Sequence, residues 1–138
     1  MSNQVYKLLA VDDVPDNLFL LQTILEAEGF TVDVATNGRT ALSKIKMSPP
    51  DLILLDVMMP GMTGYEVTQR IRQDESLPAI PIVLITAQDE AAALQGLELG
   101  ANDFISKPID FDELLARVRA YLHLEHTVEA NNVVLSAN

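Results

Sequence analysis

The chain has no cysteine, which removes disulfides, cysteine nucleophiles and thiolate metal sites together. Basic side chains are scarce: 9 Lys and Arg stand against 20 Asp and Glu, for a formal net charge of -11. A module that seeks nucleic-acid phosphates needs basic patches, so that class is disfavoured. No apolar run reaches the roughly 18 residues of a membrane span, and Met1–Lys7 lacks the apolar stretch of a secretory signal. No repeat, linker or second domain interrupts the 138 residues, a length within the usual mode of about 100–150 for one domain. What is present is an apolar share of 49% with 21% charged residues, ample for a buried core. These balances predict an acidic, soluble, cytoplasmic single domain.

Along the chain, five short apolar segments alternate with five helix-like ones. Lys7–Val11 runs into Asp12-Asp13, and Thr31–Ala35 is β-branched and ends at the turn signal Thr36-Asn37-Gly38. Leu52–Leu55 ends at Asp56, Ile82–Ile85 at Thr86, and the short Asp103–Ser106 at Lys107-Pro108. Runs that are apolar at every position suit strands buried on both faces, as in a parallel sheet covered by helices. Between them, Leu18, Leu21, Ile24 and Leu25 repeat at helical spacing before Gly29, a C-terminal stop. Ala41, Leu42 and Ile45 mark a second helix ended by Pro49-Pro50, and Tyr65, Val67 and Ile71 a third ended before Pro78. Glu90–Leu99 is alanine-rich and closed by Gly100, and Phe111, Leu114, Leu115, Val118 and Leu122 form the last stripe. Strict β/α alternation in so short a chain predicts an open, doubly wound α/β sheet; an eight-fold barrel needs about 250 residues.

The polar residues sit where the strands stop. Asp12, Asp13, Asp56, Thr86 and Lys107 each follow or end a strand, and right-handed crossovers bring all those ends to one edge, where ligands bind in open α/β sheets. Three carboxylates gathered there repel each other and resist leaving water. A hard divalent cation such as Mg²⁺ resolves this, with oxygen ligands from carboxylates, water and a phosphate. Asp13 and Asp56 are the expected direct ligands, Asp12 acting through water, with a backbone carbonyl near Met58 as a further oxygen. Lys107 adds a positive point charge and Thr86 a hydroxyl donor. Such a set suits transfer of a phosphoryl group onto a carboxylate, for which Asp is a recognised nucleophile.

Taken together, Asp12-Asp13, Asp56 followed by Pro60-Gly61 and Gly64, Thr86-Ala87 and Lys107-Pro108 resemble the full signature of response-regulator receiver domains of two-component signalling. The resemblance covers about Lys7 to Leu124, within a receiver domain at 1–126 followed by a tail at 127–138 that frays or extends the last helix. It implies a flavodoxin-like, five-stranded parallel sheet in the order 2-1-3-4-5. It implies that Asp56 accepts phosphate from a sensor histidine kinase, with Mg²⁺ held by Asp12, Asp13 and Asp56. Thr86 and Lys107 would bind the phosphoryl oxygens, the Lys107-Pro108 peptide would be cis, and Phe104 would occupy the aromatic switch position. Phosphorylation would remodel a protein-interaction surface built from helix 4, strand 5 and helix 5. A relay role, passing phosphate to a histidine phosphotransfer protein, is the alternative. Met58 and Gln88 hold the positions where the family varies its dephosphorylation rate.

Other readings weigh less. An aspartyl-nucleophile phosphatase needs a second Asp two residues after the nucleophile, and Met58 stands there, so the chain is read as no enzyme beyond its own phosphoryl acceptance and slow autodephosphorylation. A flavin or nucleotide binder needs Gly, Ser or Thr after strand one, where Asp12-Asp13 repel phosphate. Met58, Met59 and Met62 are read as packing and loop filling; His123 and His126 are read as a solvated helix face rather than a metal site. The last helix is expected to run on from Arg117 through Glu129, its Leu122, Leu124 and Val128 available to a partner or a second copy. With too little sequence after it for a DNA-binding domain, the expectation is a stand-alone receiver or an excised fragment, with an unknown downstream protein target and no direct contact to nucleic acid or membrane.

Overall fold

A computed structural model of the chain describes residues 5–87 and 90–123. Five strands, β1 (Lys7–Val11), β2 (Thr31–Ala35), β3 (Leu52–Asp56), β4 (Ile82–Thr86) and β5 (Asp103–Ser106), alternate with α1 (Pro15–Ala27), α2 (Gly38–Met47), α3 (Gly64–Gln73), α4 (Glu90–Glu98) and α5 (Phe111–Tyr121). All strand pairs are parallel, in the order β2-β1-β3-β4-β5. This is the doubly wound, flavodoxin-like arrangement read from the sequence. Contacts divide the chain into two units: Met1–Pro108 holds the whole sheet and the first four helices, and Ile109–Asn138 holds α5.

The continuous apolar runs explain the strands. β3 and β4 are buried at every position, so each face of the sheet carries every second residue. Leu9, Val11, Ile53, Leu55, Ile82 and Leu84 share one cluster with Ala41 and Ile45 of α2 and Val67 and Ile71 of α3. The alternate positions, Leu8, Leu52, Leu54 and Val83, are fully buried on the opposite face, where α1 lies against β1 and β2 and buries Leu18, Leu21 and Leu25. Each such Leu or Ile contributes about 1.5–3 kcal/mol relative to exposure.

Helix ends follow local chemistry. Pro15 opens α1, and Gly29, at φ 96°, supplies the left-handed turn that returns the chain to β2. Asn37 caps α2 by accepting the Thr40 N–H at 2.8 Å. Thr63 and Glu66 form a reciprocal capping box on α3. In the second unit, Asp110 caps α5 by accepting from the amides of Asp112 and Glu113, and Arg117 pairs with Glu113 one turn back at 2.8 Å. Here the sequence expectation is corrected. α5, expected to continue unbroken from Arg117 through Glu129, ends at Tyr121, with Leu122 as its C-cap and His123 at the left-handed φ of 59° that stops a helix. Leu124, His126, Val128 and the tail lie outside the described residues. Among those described, no helix is long and apolar enough to cross a membrane.

Candidate functional site

The register of the sheet assembles the polar residues. Val11 pairs with Leu55, Asp56 with Ile85, and Thr86 with Ser106, so the ends of β1, β3, β4 and β5 stand side by side. Asp12, Asp13 and Asp56 each present a carboxylate oxygen, and the three oxygens lie within 4.8 Å of one another. Lys107 Nζ sits 3.3 Å from Asp56 Oδ1 and 3.7 Å from Asp12 Oδ2. The backbone N–H of Lys107 donates to the Thr86 carbonyl at 2.9 Å, which ties the lysine to the end of β4. The Lys107-Pro108 peptide is cis.

Burial decides the electrostatics. Asp12 and Asp56 are each only 3% exposed, and an ionised carboxylate loses hydration there. Asp56 is accordingly pushed above the ordinary carboxylate range, first by burial and next by the charge of Asp12; the Lys107 ammonium pulls it down but does not win. Asp12 is oriented from the other side. Its Oδ1 accepts the Val14 N–H at 2.9 Å and its Oδ2 accepts from Asn17 Nδ2 at 3.2 Å, which anchors the carboxylate to the start of α1. Asp13, next in the chain, is half-buried. Three carboxylates against one nearby ammonium leave an excess of negative charge, and their oxygens are spaced to share a cation. The donor set, all oxygen, suits a hard divalent ion rather than a soft one.

The remaining sequence-predicted residues fall around this corner. Thr86 is buried at the end of β4. Phe104, half-buried on β5, pairs with Leu84 and packs against the core cluster. Met58 lies in the loop that leaves β3, its side chain 56% exposed, whereas Met59 is core and Met62 packs against it. Of the packing and loop filling expected of the methionines, Met59 and Met62 pack, and Met58 occupies the loop. Gln88 and His126 lie outside the described residues, and His123 is exposed beyond the end of α5.

Two features escaped the sequence. Asn17 holds Asp12 from one turn inside α1; a polar residue in the first turn after an acidic pair was the available signal. The second is the floor beneath Asp56. Gly64 donates its N–H to the Val57 carbonyl at 2.9 Å, closing the β3–α3 loop against the strand that carries the aspartate.

The family model described as the response regulator receiver domain matches residues 8–119. Response regulator PleD of Caulobacter vibrioides is 45% identical over 124 residues, 89% of this chain and 27% of that protein. Protein PilH of Pseudomonas aeruginosa is 34% identical, with 84% of this chain and 97% of that protein covered. The structure of the Vibrio cholerae chemotaxis protein CheY4 superposes with a TM-score of 0.80 at 30% identity, covering 86% of this chain and 99% of the other. The chain spans about a quarter of the length of PleD and about half that of several other curated relatives.

Proposed function

Since the chain belongs to the response regulator receiver domains of two-component signalling, we propose that it is phosphorylated on Asp56 by a sensor histidine kinase in a Mg²⁺-dependent reaction in the cytoplasm. The observation that carries this reading is the convergence of Asp12, Asp13 and Asp56 within 4.8 Å, with Lys107 Nζ 3.3 Å from Asp56. A carboxylate oxygen of Asp56 attacks the phosphorus of the donor's phosphohistidine. The new P–O bond forms as the P–N bond breaks, and the leaving imidazole takes up a proton. Asp12, Asp13 and Asp56 would hold Mg²⁺, with the Met58 backbone carbonyl as a further ligand. Bound there, the ion would neutralise charge on the phosphoryl oxygens.

Lys107 bridges Asp12 and Asp56 before reaction and turns to a phosphoryl oxygen after it, while the Thr86 hydroxyl supplies a hydrogen bond to another. Asp56 must be ionised to attack; burial and the charge of Asp12 oppose that in the metal-free site, and a divalent cation held there would favour it. Drawing Thr86 toward the phosphate opens room beside Phe104, and α4 with β5 forms the surface presented to a downstream protein. Slow hydrolysis of the acyl phosphate resets the switch. Acetyl phosphate with Mg²⁺, read by intact mass, tests the proposal: the wild type gains one acid-labile phosphoryl group and Asp56→Asn gains none. Equal labelling of the two proteins overturns it.

A further inference from the structure

We propose that Gly64 is a positioning residue for Asp56: the absence of a side chain there lets the first turn of α3 rest on the Asp56–Val57 peptide and fixes where the reactive carboxylate points. This rests on the phosphoryl-acceptor reading above. A Cβ built on Gly64 falls 2.5 Å from the Asp56 carbonyl oxygen, 2.9 Å from Val57 Cα and 3.1 Å from the Asp56 carbonyl carbon. All three neighbours are backbone, so no rotamer can clear the space. A side chain at 64 must lift α3 or displace the peptide that ends β3.

Other close-packed glycines differ in kind. A Cβ on Gly38 meets Met62 Sδ and Val67 Cγ2, and one on Gly96 meets Leu84 Cδ1 and the Tyr65 ring; these are side-chain atoms, which can yield by a change of rotamer where backbone cannot. Lifting α3 is resisted because Val67 and Ile71, one and two turns further on, are buried in the core cluster, and because the Gly64 N–H is committed to the Val57 carbonyl at 2.9 Å. Within the helix, the fully buried Thr68 hydroxyl donates to the Gly64 carbonyl at 2.9 Å and the Thr63–Glu66 capping box ties the residue before it, so the first turn moves as one piece. The displacement therefore passes to the Asp56 backbone. Asp56 Oδ1 in turn holds its distance to Lys107 and its place among the three carboxylates by the direction of that one side chain. A misplacement of about 1 Å at a reacting group can cost on the order of a hundredfold in rate.

The test measures labelling of the full 138-residue chain by acetyl phosphate and Mg²⁺, separating the rate constant at saturating acetyl phosphate from the final amplitude. Gly64→Ala is compared with Gly29→Ala, a substitution strained by its φ of 96° with nothing within 4 Å of the added carbon and remote from the carboxylates. Poorer folding alone lowers amplitude, because fewer molecules are competent, and does so in both variants. Misplacement of Asp56 lowers the rate constant of the folded molecules in Gly64→Ala only, with a loss of about tenfold or more expected. Thr68→Val, which keeps Gly64 and removes the buried bond that holds the Gly64 carbonyl within the first turn of α3, gives a smaller loss of the same kind and serves if Gly64→Ala does not fold. Wild-type rate constants in the variants that fold, with the wild type itself labelled, overturn the positioning role and leave the acceptor reading standing. A wild type that takes no phosphate overturns both.

Discussion

α3 and α4 are similar in length, 10 and 9 residues, yet they are held in opposite ways. α3 opens with a capping box, buries Val67, Thr68 and Ile71, and carries Arg70 and Arg72 in its last turn, where cations complement the helix dipole. Among the described side chains of α4, Ala93 is buried and Leu97 is partly buried against the core cluster, Gly96 contributes no side chain at all, and Leu94 is 50% exposed. No basic residue stands in the last turn of α4. One partly buried leucine beside Ala and Gly removes less apolar area from water than the fully buried Val67 and Ile71, so the described side chains of α4 gain less packing free energy than those of α3. On this packing, α3 beneath the carboxylate corner is expected to be the firmer helix and α4, after Thr86, the first to open. Under the phosphoryl switch proposed above, that division would give a rigid acceptor and a lightly held reporter.

The largest test of this contrast is the link between the two helices. Arg72 Nε donates to the Gly100 carbonyl and its Nη2 to Asn102 Oδ1, both at 2.9 Å, and the same Oδ1 accepts the Ile82 N–H. One side chain from the end of α3 thus fastens the α4–β5 turn and the start of β4. Arg72→Ala is expected to cost about 2 kcal/mol in urea unfolding, since charge-assisted bonds are lost. Amide exchange should rise more in residues 97–102 than in α3. A uniform rise across both helices would mean that α4 is not the weaker element.

Next in size is a gain. Burial, and after it Asp12, raise the pKa of Asp56. A carboxyl whose folded pKa lies above its unfolded one destabilises the fold when both states are ionised, and the penalty is relieved as pH falls through the folded pKa. Asp56→Asn is therefore expected to stabilise the protein by about 1 kcal/mol at pH 7, the same substitution that abolishes phosphoryl acceptance. The gain should vanish below about pH 4, near the ordinary aspartate value. Thermal melts from pH 3 to 7 without divalent cations check this, and an Asn variant less stable at pH 7 breaks the account.

How far the sequence carried the reading can be judged residue by residue. The strands were legible because β3 and β4, buried on both faces, must be apolar at every position. Asp12, Asp13, Asp56, Thr86 and Lys107 were legible as a group because each stands at a strand end and parallel topology brings those ends together. Asn17 was not, and Gly64 was named in the signature without a role, because what each does depends on distances of a few ångströms across a loop that no periodicity encodes. The end of α5 was overrun for a similar reason. Apolar spacing continued past Leu122, while the left-handed His123 that stops the helix is a non-glycine exception to the usual signal. The clamp by Arg72 was also hidden, since its partners lie 28 and 30 residues away.

The same glycine-to-alanine change sharpens the comparison at a smaller scale. In Gly96→Ala, the new carbon meets the Cδ1 of the buried Leu84, which must change rotamer to make room, while alanine improves helix propensity by up to about 1 kcal/mol. The two effects oppose each other, and a net change under about 1 kcal/mol is expected by chemical denaturation. Gly64→Ala meets backbone and has no such outlet, so it should be clearly the more costly of the pair. Equal costs would show that α4 is packed as tightly as α3.

The smallest effect concerns the far end of α3, which α4 has no counterpart for among the described residues. Asp74, the C-cap, is held down to about 2, first by the Ser76 hydroxyl, then by Lys46 from the last turn of α2, with the Ser76 N–H adding to both. A carboxyl depressed in this way contributes stability that is present above its unfolded pKa near 3.8 and lost as pH falls through about 2. The site is exposed, so the global gain is small, but the titration is directly visible as the carbon-13 shift of the side-chain carboxyl. A midpoint near 2 is expected. Ser76→Ala should raise it further than Lys46→Met does, because the hydroxyl is the larger cause. If the lysine variant moves it more, the end of α3 is held chiefly by an ion pair that salt can screen, and the contrast with α4 narrows at high ionic strength.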